Sequence, residues 1–395
     1  MFVLAAALVL ATTQQRADTL VVRGNGDVPA SAVRRLVPEW QASDASAEIG
    51  TVDGMAVAPD GRVYVWDEKT PSLWMLNADG TGLKRIGRKG AGPGEYDGIN
   101  GITIRPDGKL AAWDAGNSRI NIYNADGSFV ANWLIKMSGR TYTSGALTAD
   151  VRNRVWMQWS VPNPANPTDR QQNLGAIVGY DLAGVLRDTI IIPQYPGDPI
   201  LRAQSPDGGS RMGRTLPFGT STRSATSPLG FVVSGPGRPY VFNTTFNGRP
   251  VRVEREYTPV AVTRDERDKY HAQLEASMRR TQPDWKWSGP DIPDTKPAYG
   301  SFLIGAEGRI WVQLSVESEK YTPDAPATAQ PNPLPVVPYR SRELRWDIYE
   351  PDGKFVGRVA VARGFTPYAA RGDAIWGVTR DADDVPTVVK LRPAR

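Results

Sequence analysis

The sequence predicts an all-β fold, a six-bladed β-propeller of four-stranded antiparallel blades, and three observations carry that expectation. Residues 85–129 read RIGRKGAGPGEYDGINGITIRPDGKLAAWDAGNSRINIYNADGSF. They contain three runs that alternate apolar and polar residues (101–105, 109–114 and 119–124), punctuated by PDG and NADG. Period-two alternation bounded by Gly, Asp and Asn specifies strands, and such short connections make them an antiparallel meander. Secondly, the arrangement occurs one unit earlier, over residues 54–58, 62–67 and 72–77. The two PDG turns start at Pro59 and Pro106, 47 residues apart, the period of one propeller blade. Thirdly, aligning the second strand of each unit collects RVYVWD (62–67), KLAAWD (109–114), RVWMQW (154–159), RPYVFN (238–243), RIWVQL (309–314) and AIWGVT (374–379). The third position is Tyr64, Ala111, Trp156, Tyr240, Trp311 and Trp376, aromatic in five of six, as face-to-face packing of neighbouring blades requires.

The motif GAGPGEY (90–96) followed by PDGKLAAWDAGNSRINIYNADGSF (106–129) resembles the NHL-repeat pattern. In that pattern a glycine-rich approach leads to strand, PDG turn, strand, Asp-x-x-Asn-x-Arg-Ile and a closing strand. Asp114, Asn117, Arg119 and Ile120 fill it; blade one keeps Asp67 but has Lys69 and Ser72 where Asn and Arg belong. The resemblance covers residues 50–135 and implies an exported bacterial six-bladed propeller. Because such propellers include binding modules and enzymes, it implies fold and not function.

From the N-terminus, residues 1–11 (MFVLAAALVLA) are too short to span a bilayer as an ordinary helix and read as the apolar core of a signal peptide, with Val9-Leu10-Ala11 as the cleavage site. The expected localisation is therefore exported, periplasmic or extracellular, with no transmembrane segment. Residues 12–47 contribute a closing strand, from either 39–49 or 20–22, that completes the last blade and removes its open edge. Residues 48–395 form the six blades, interrupted by a helical insertion at 263–299. Thr263-Arg-Asp-Glu266 is a capping box, and Tyr270, Leu274 and Met278 follow at helical spacing, so a helix over 265–280 should lay an apolar stripe on the ring.

Composition excludes several chemistries. The 395 residues contain no cysteine and a single histidine, His271, which removes disulfides, thiolate metal sites and any histidine-pair mechanism. A net charge of +5 with no run of like charges reads as a solvated surface rather than a nucleic-acid patch. GAGPGEY lacks the Lys-Ser/Thr and following helix of a phosphate loop, and Asp67 and Asp114 end strands where carboxylates cap turns.

Function is sought on one face. The expected loops between first and second strands (PDG, PDG, DVRN, GPG, AEG, RGD) and most third-to-fourth turns are tight. The long segments (85–100, 161–173, 193–228, 263–299 and 319–340) fall in the other two classes, which share the opposite face. Long loops gathered on one side of a rigid scaffold favour a binding face. The candidate residues are Trp285 and Trp287 on that loop face, as an aromatic lip or as pins for the insertion. At the channel mouth, where inner strands begin, the candidates are Asp53, Asn100, Ser144, Tyr299 and Tyr368. The first reading is a binding module for a peptide, glycan or protein, monomeric and without a cofactor. The alternative is a calcium-dependent hydrolase or lactonase: Asp53 and Asn100 supply oxygen ligands that suit calcium, although such an ion wants more oxygens than the two provide.

Overall fold

The computed structural model describes residues 18–24, 28–42, 49–67, 70–136, 141–142, 147–168, 173–323, 333–381 and 385–394. Blade one comprises Gly54–Val57, Val63–Asp67, Ser72–Leu76 and Leu83–Ile86. Blade two follows with Ile99–Ile104, Leu110–Asp114, Arg119–Tyr123 and Phe129–Leu134. Blade three has Thr148–Ala149, Val155–Val161, Leu174–Tyr180 and Leu186–Ile191. Blade four has Arg223–Thr226, Val232–Gly235, Val241–Phe246 and Arg249–Arg255. Blade five has Tyr299–Ile304, Ile310–Leu314, Glu343–Tyr349 and Phe355–Ala362. Blade six has Phe365–Arg371, Ala374–Arg380 and Pro386–Pro393, and takes its outer strand, Val33–Gln41, from near the N-terminus.

The burial of each strand follows from its radial position. Val63–Asp67, Leu110–Asp114 and Arg119–Tyr123 are buried at every residue, because a middle strand is covered by a neighbouring blade on both faces. The outer strand Leu186–Ile191 alternates instead, with only one side covered. Aromatic rings fill the gaps between blades. Trp113 of blade two meets Trp159 of blade three edge-on at 6.5 Å, and Phe242 of blade four meets Phe302 of blade five at 5.7 Å. Such edge-to-face pairs match the ring quadrupoles and bury large apolar areas. Inner-strand residues of all six blades, among them Met55, Ile102, Ala225, Leu303 and Tyr368, line a central channel of about 590 Å³.

Closure of the ring uses one strand for two blades. Leu36 to Gln41 pair antiparallel with Pro386–Pro393, while Val33 to Arg35 run parallel to Phe355–Ala362 of blade five. Trp40 on this strand lies over the blade-one turn at Gly80, where φ is +81° and a Cβ would sit 2.5 Å from the indole. Of the two sequence candidates for closure, residues 39–49 overlap the true strand only at its end. Leu20–Gly24 instead adds a fifth strand, parallel, to the outer edge of blade four.

Blade four departs from the sequence register. The segment at 238–243 was expected to supply its second strand, with GPG (235–237) as the tight turn before it. Val241–Phe246 is the third strand, and the turn between first and second strands is Ser227–Gly230, closed by Gly230 N–H donating to the Ser227 carbonyl at 2.9 Å. The inner strand Arg223–Thr226 is half-exposed throughout and carries one apolar residue, so it gave no apolar signal to align on.

Two buried polar arrangements hold the ring locally. Asp114, fully buried, accepts from Asp97 N–H at 2.8 Å, Asn117 Nδ2 at 2.7 Å and Arg119 Nε at 3.2 Å. Arg119 spends its remaining donors on the carbonyls of Ala91, Gly92 and Glu95, so the Asp-Asn-Arg motif serves to clamp the glycine-rich loop. Asp347 accepts from Arg358 Nε at 2.6 Å and Nη2 at 3.0 Å, and from the Tyr240 hydroxyl at 2.9 Å; Arg255 lies 3.6 Å away. Removing one member of such a set leaves buried charge uncompensated. Asp347→Ala is expected to destabilise the protein by about 3–5 kcal/mol, read as a lower midpoint in urea unfolding. An unchanged midpoint would mean that the two arginines find other partners.

Candidate functional site

Two insertions and one long loop converge above blades four and five. The segment between blades three and four forms a hairpin, Leu201–Gln204 with Arg211–Arg214. The segment between blades four and five contains the helix α1, Arg264–Arg279, capped by Thr263 Oγ1, which accepts from Glu266 N–H at 3.2 Å. The helix is where the sequence placed it, but its apolar stripe does not lie on the ring. Leu274 and Met278 pack with Leu201, Ala203, Leu216 and Trp285, so the two insertions bury each other's apolar faces. Glu266 does not reach back to complete the capping box. Its carboxylate accepts instead from Ser318 Oγ at 2.7 Å, on the blade-five loop. From that loop Lys320 and Tyr339 also reach Asp265, and Gln273 reaches the Pro335 carbonyl.

Beneath this roof lies a cleft of about 790 Å³. Its floor comes from the start of blade four's inner strand (Arg223) and from blade five (Gly300, Ser301, Gln313 and Ser315). The connecting segments supply Tyr195, Asp198, Thr220 and Phe218, and Lys296 closes the side. Asp198 Oδ2 accepts from Thr220 N–H at 2.6 Å and its hydroxyl at 3.1 Å. The Tyr195 hydroxyl donates to the Ser234 carbonyl at 3.2 Å and accepts from Asn243 Nδ2 at 2.7 Å, which locks the ring edge to blade four. Lys296, 6% exposed, donates to the Val316 carbonyl at 2.8 Å and to Ser318 Oγ at 2.7 Å. Burial pushes its ammonium below the usual lysine range, against the nearby Glu266 and Glu317 carboxylates, which favour the charged form. The Arg223 Nε is buried and has no hydrogen-bond partner.

The comparisons bear on the ring rather than on the cleft. Residues 44–139 match a family model, DUF5128, described as a 6-bladed beta-propeller. With six blades around one channel, that decides the architecture. The chain is a six-bladed β-propeller. No curated protein matches its sequence. Among solved structures, the propeller is similar to a candidate exported protein from Bacteroides fragilis, with 11% identity, TM-score 0.47, and coverage of 96% of this chain and 100% of that one. It is similar to a gluconolactonase from Xanthomonas campestris, with 13% identity, TM-score 0.42, and coverage of 93% and 94%. A DUF4221 member from Bacteroides vulgatus is a third, with 10% identity, TM-score 0.44, and coverage of 91% and 95%.

The sequence-predicted site residues fall in several places on the propeller. Asp53 is exposed and accepts from Thr51 Oγ1 at 3.0 Å. Asn100 is half-buried within blade two's inner strand, and Ser144 lies outside the described residues. Tyr368 lines the channel and donates to the Val52 carbonyl at 2.6 Å; burial raises its pKa, and the Asp53 charge adds to the rise. Among the described residues, no three His, Cys, Asp or Glu side chains gather where they could hold a metal ion. Tyr299 is not at the mouth. It is fully buried between blades four and five, its hydroxyl donating to the Val241 carbonyl at 2.6 Å, because the inner strand starts one residue inside the packed layer. Trp285 and Trp287 form no lip. Trp285 is buried and donates to the Arg202 carbonyl at 2.9 Å, and Trp287 stacks on His271 at 4.2 Å, so both pin the insertion together. No helix among the described residues is long and apolar enough to cross a membrane.

The cleft residues Arg223, Lys296 and Phe218 escaped the sequence reading. Arg223 was hidden by the register shift in blade four. Lys296 and Phe218 sit in irregular segments where no period exists to mark them. The one available signal was the alternation Arg223-Ser224-Ala225-Thr226 before a Ser-Pro-Leu-Gly turn, which reads as a short strand ending in a turn.

Proposed function

We propose that this protein is an exported binding module that holds a glycan in the cleft between its insertions and blades four and five. The observation that carries the proposal is the polarity of that cleft. Its walls present hydroxyl and amide side chains from Thr220, Ser301, Gln313, Ser315 and Ser341, with the Phe218 and Tyr195 rings beside them. Small-molecule clefts are mostly apolar, with few polar groups. A wall rich in hydroxyls and amides suits a ligand that returns many hydrogen bonds, and an aromatic ring suits the apolar face of a sugar. The converging insertions support this reading, since they pack their apolar surface against one another and the connecting segments beside them bring Asp198 and Thr220 to the cleft together with the Phe218 ring. Export is supported by the apolar run at residues 1–11.

A melting-temperature screen of the whole chain against neutral and acidic oligosaccharides and against a peptide library tests the proposal. A ligand present at about 100 times its Kd stabilises the native state by roughly 2.7 kcal/mol. Gly300→Trp is the matching variant: nothing lies within 4 Å of a Cβ built at Gly300, so the indole has room to enter the cleft. Oligosaccharides are expected to raise the melting temperature of the wild type and not of the variant. Stabilisation by peptides alone, or an equal response of both proteins, would refute the glycan reading.

A further inference from the structure

Three charged side chains line the cleft: Asp198, Arg223 and Lys296. Two of them are already spent. Asp198 is held by the Thr220 backbone and hydroxyl, and Lys296 by the Val316 carbonyl and Ser318, with Glu266 behind that serine. Arg223 differs. Its buried Nε lacks an acceptor, and among the described residues no carboxylate lies within ion-pairing distance of its guanidinium. Its charge is felt by the Tyr299 hydroxyl, where it opposes the upward push of burial. A guanidinium offers five N–H donors in a planar fork that matches a carboxylate in two parallel hydrogen bonds. The buried Nε is a hydrogen bond left unmade, and a ligand carboxylate that accepts from it and from a neighbouring Nη would recover it.

We propose that Arg223 is the anion subsite of this cleft and that the ligand is an acidic carbohydrate. Its carboxylate takes the Arg223 fork, and its hydroxyls meet Thr220, Ser301 and Gln313. This rests on the glycan reading above and adds the charge to it. The hydroxyl-rich walls favour a sugar acid over a simple anion, and the planar fork favours a carboxylate.

The test is a calorimetric titration of the full chain with trigalacturonate and with its methyl ester, which keeps every hydroxyl and removes the charge. Wild type is expected to bind the acid roughly 10- to 30-fold more tightly than the ester, the range of a charge-assisted bidentate pair. In Arg223→Gln the ratio of acid to ester affinity is expected to collapse toward one, and Arg223→Lys should restore part of it. Melting curves of both variants separate loss of the subsite from loss of fold. Equal binding of acid and ester by wild type, or an unchanged ratio in Arg223→Gln, overturns the anion subsite while leaving a glycan cleft in place. Tighter binding of a galactose phosphate than of the uronate overturns the carboxylate assignment. If neither sugar binds and Gly300→Trp changes nothing, the glycan reading itself falls, and the subsite with it.

Discussion

Deleting residues 1–41 is expected to open the ring and to cost on the order of 5 kcal/mol of stability. The deletion removes the outer strand of blade six together with Leu36, which packs in the core with Val389, Leu391 and Trp346. It also removes Trp40 from its seat over Gly80 of blade one and the parallel contact to blade five. The ladder face of Pro386–Pro393 would then be an open edge, an invitation to pair with another chain. Calorimetry and size-exclusion chromatography should show a lower, broader melting transition and association into larger species. Leu36→Asp, which keeps the backbone, is expected to reproduce most of the thermal loss with less association. A truncated protein that melts like the full chain would show that the closing strand is dispensable.

The second large effect is expected in alkali. Tyr96, Tyr123, Tyr240, Tyr299 and Tyr349 are each no more than 2% exposed, and burial raises the pKa of every one above its usual value of 10.0. An unfolded chain ionises these phenols near pH 10, while the folded chain keeps them protonated. The native state therefore binds more protons than the unfolded state above pH 10, and stability falls as pH rises. Their contribution is fully present below pH 10. With each group contributing about 1.4 kcal/mol per pH unit, five lose roughly 7 kcal/mol per unit once past that point. Cooperative unfolding is expected between about pH 10 and 12, with phenolate absorbance rising in step with the loss of strand signal by circular dichroism. Ionisation of these tyrosines without unfolding would show that water reaches the space between blades.

Much of the architecture was legible in the chain before any coordinates. Five of the six second strands lie where the aromatic alignment puts them, and the helix begins at its Thr263 cap. These features are local. A PDG turn needs only its own four residues, and an alternating run declares its two faces without reference to a partner. Blade four was misread because its inner strand borders the channel and carries almost no apolar pattern.

The site depends on placements that no local pattern contains. Trp285 and Trp287 stand among turn residues in the sequence, yet Trp285 is buried and Trp287 half-buried in a cluster completed by another insertion, some 80 residues earlier in the chain. Arg223 becomes a candidate only when its neighbours are known to leave it unpaired. By itself the sequence determined the repeat, the strand rhythm, the capped helix and the absence of cysteine chemistry, since each follows from residues close together or from composition. Tertiary structure alone decided which N-terminal strand closes the ring, where the insertions meet and which charge in the cleft stays free. Those outcomes turn on competition between distant segments for the same apolar surface and the same hydrogen-bond partners.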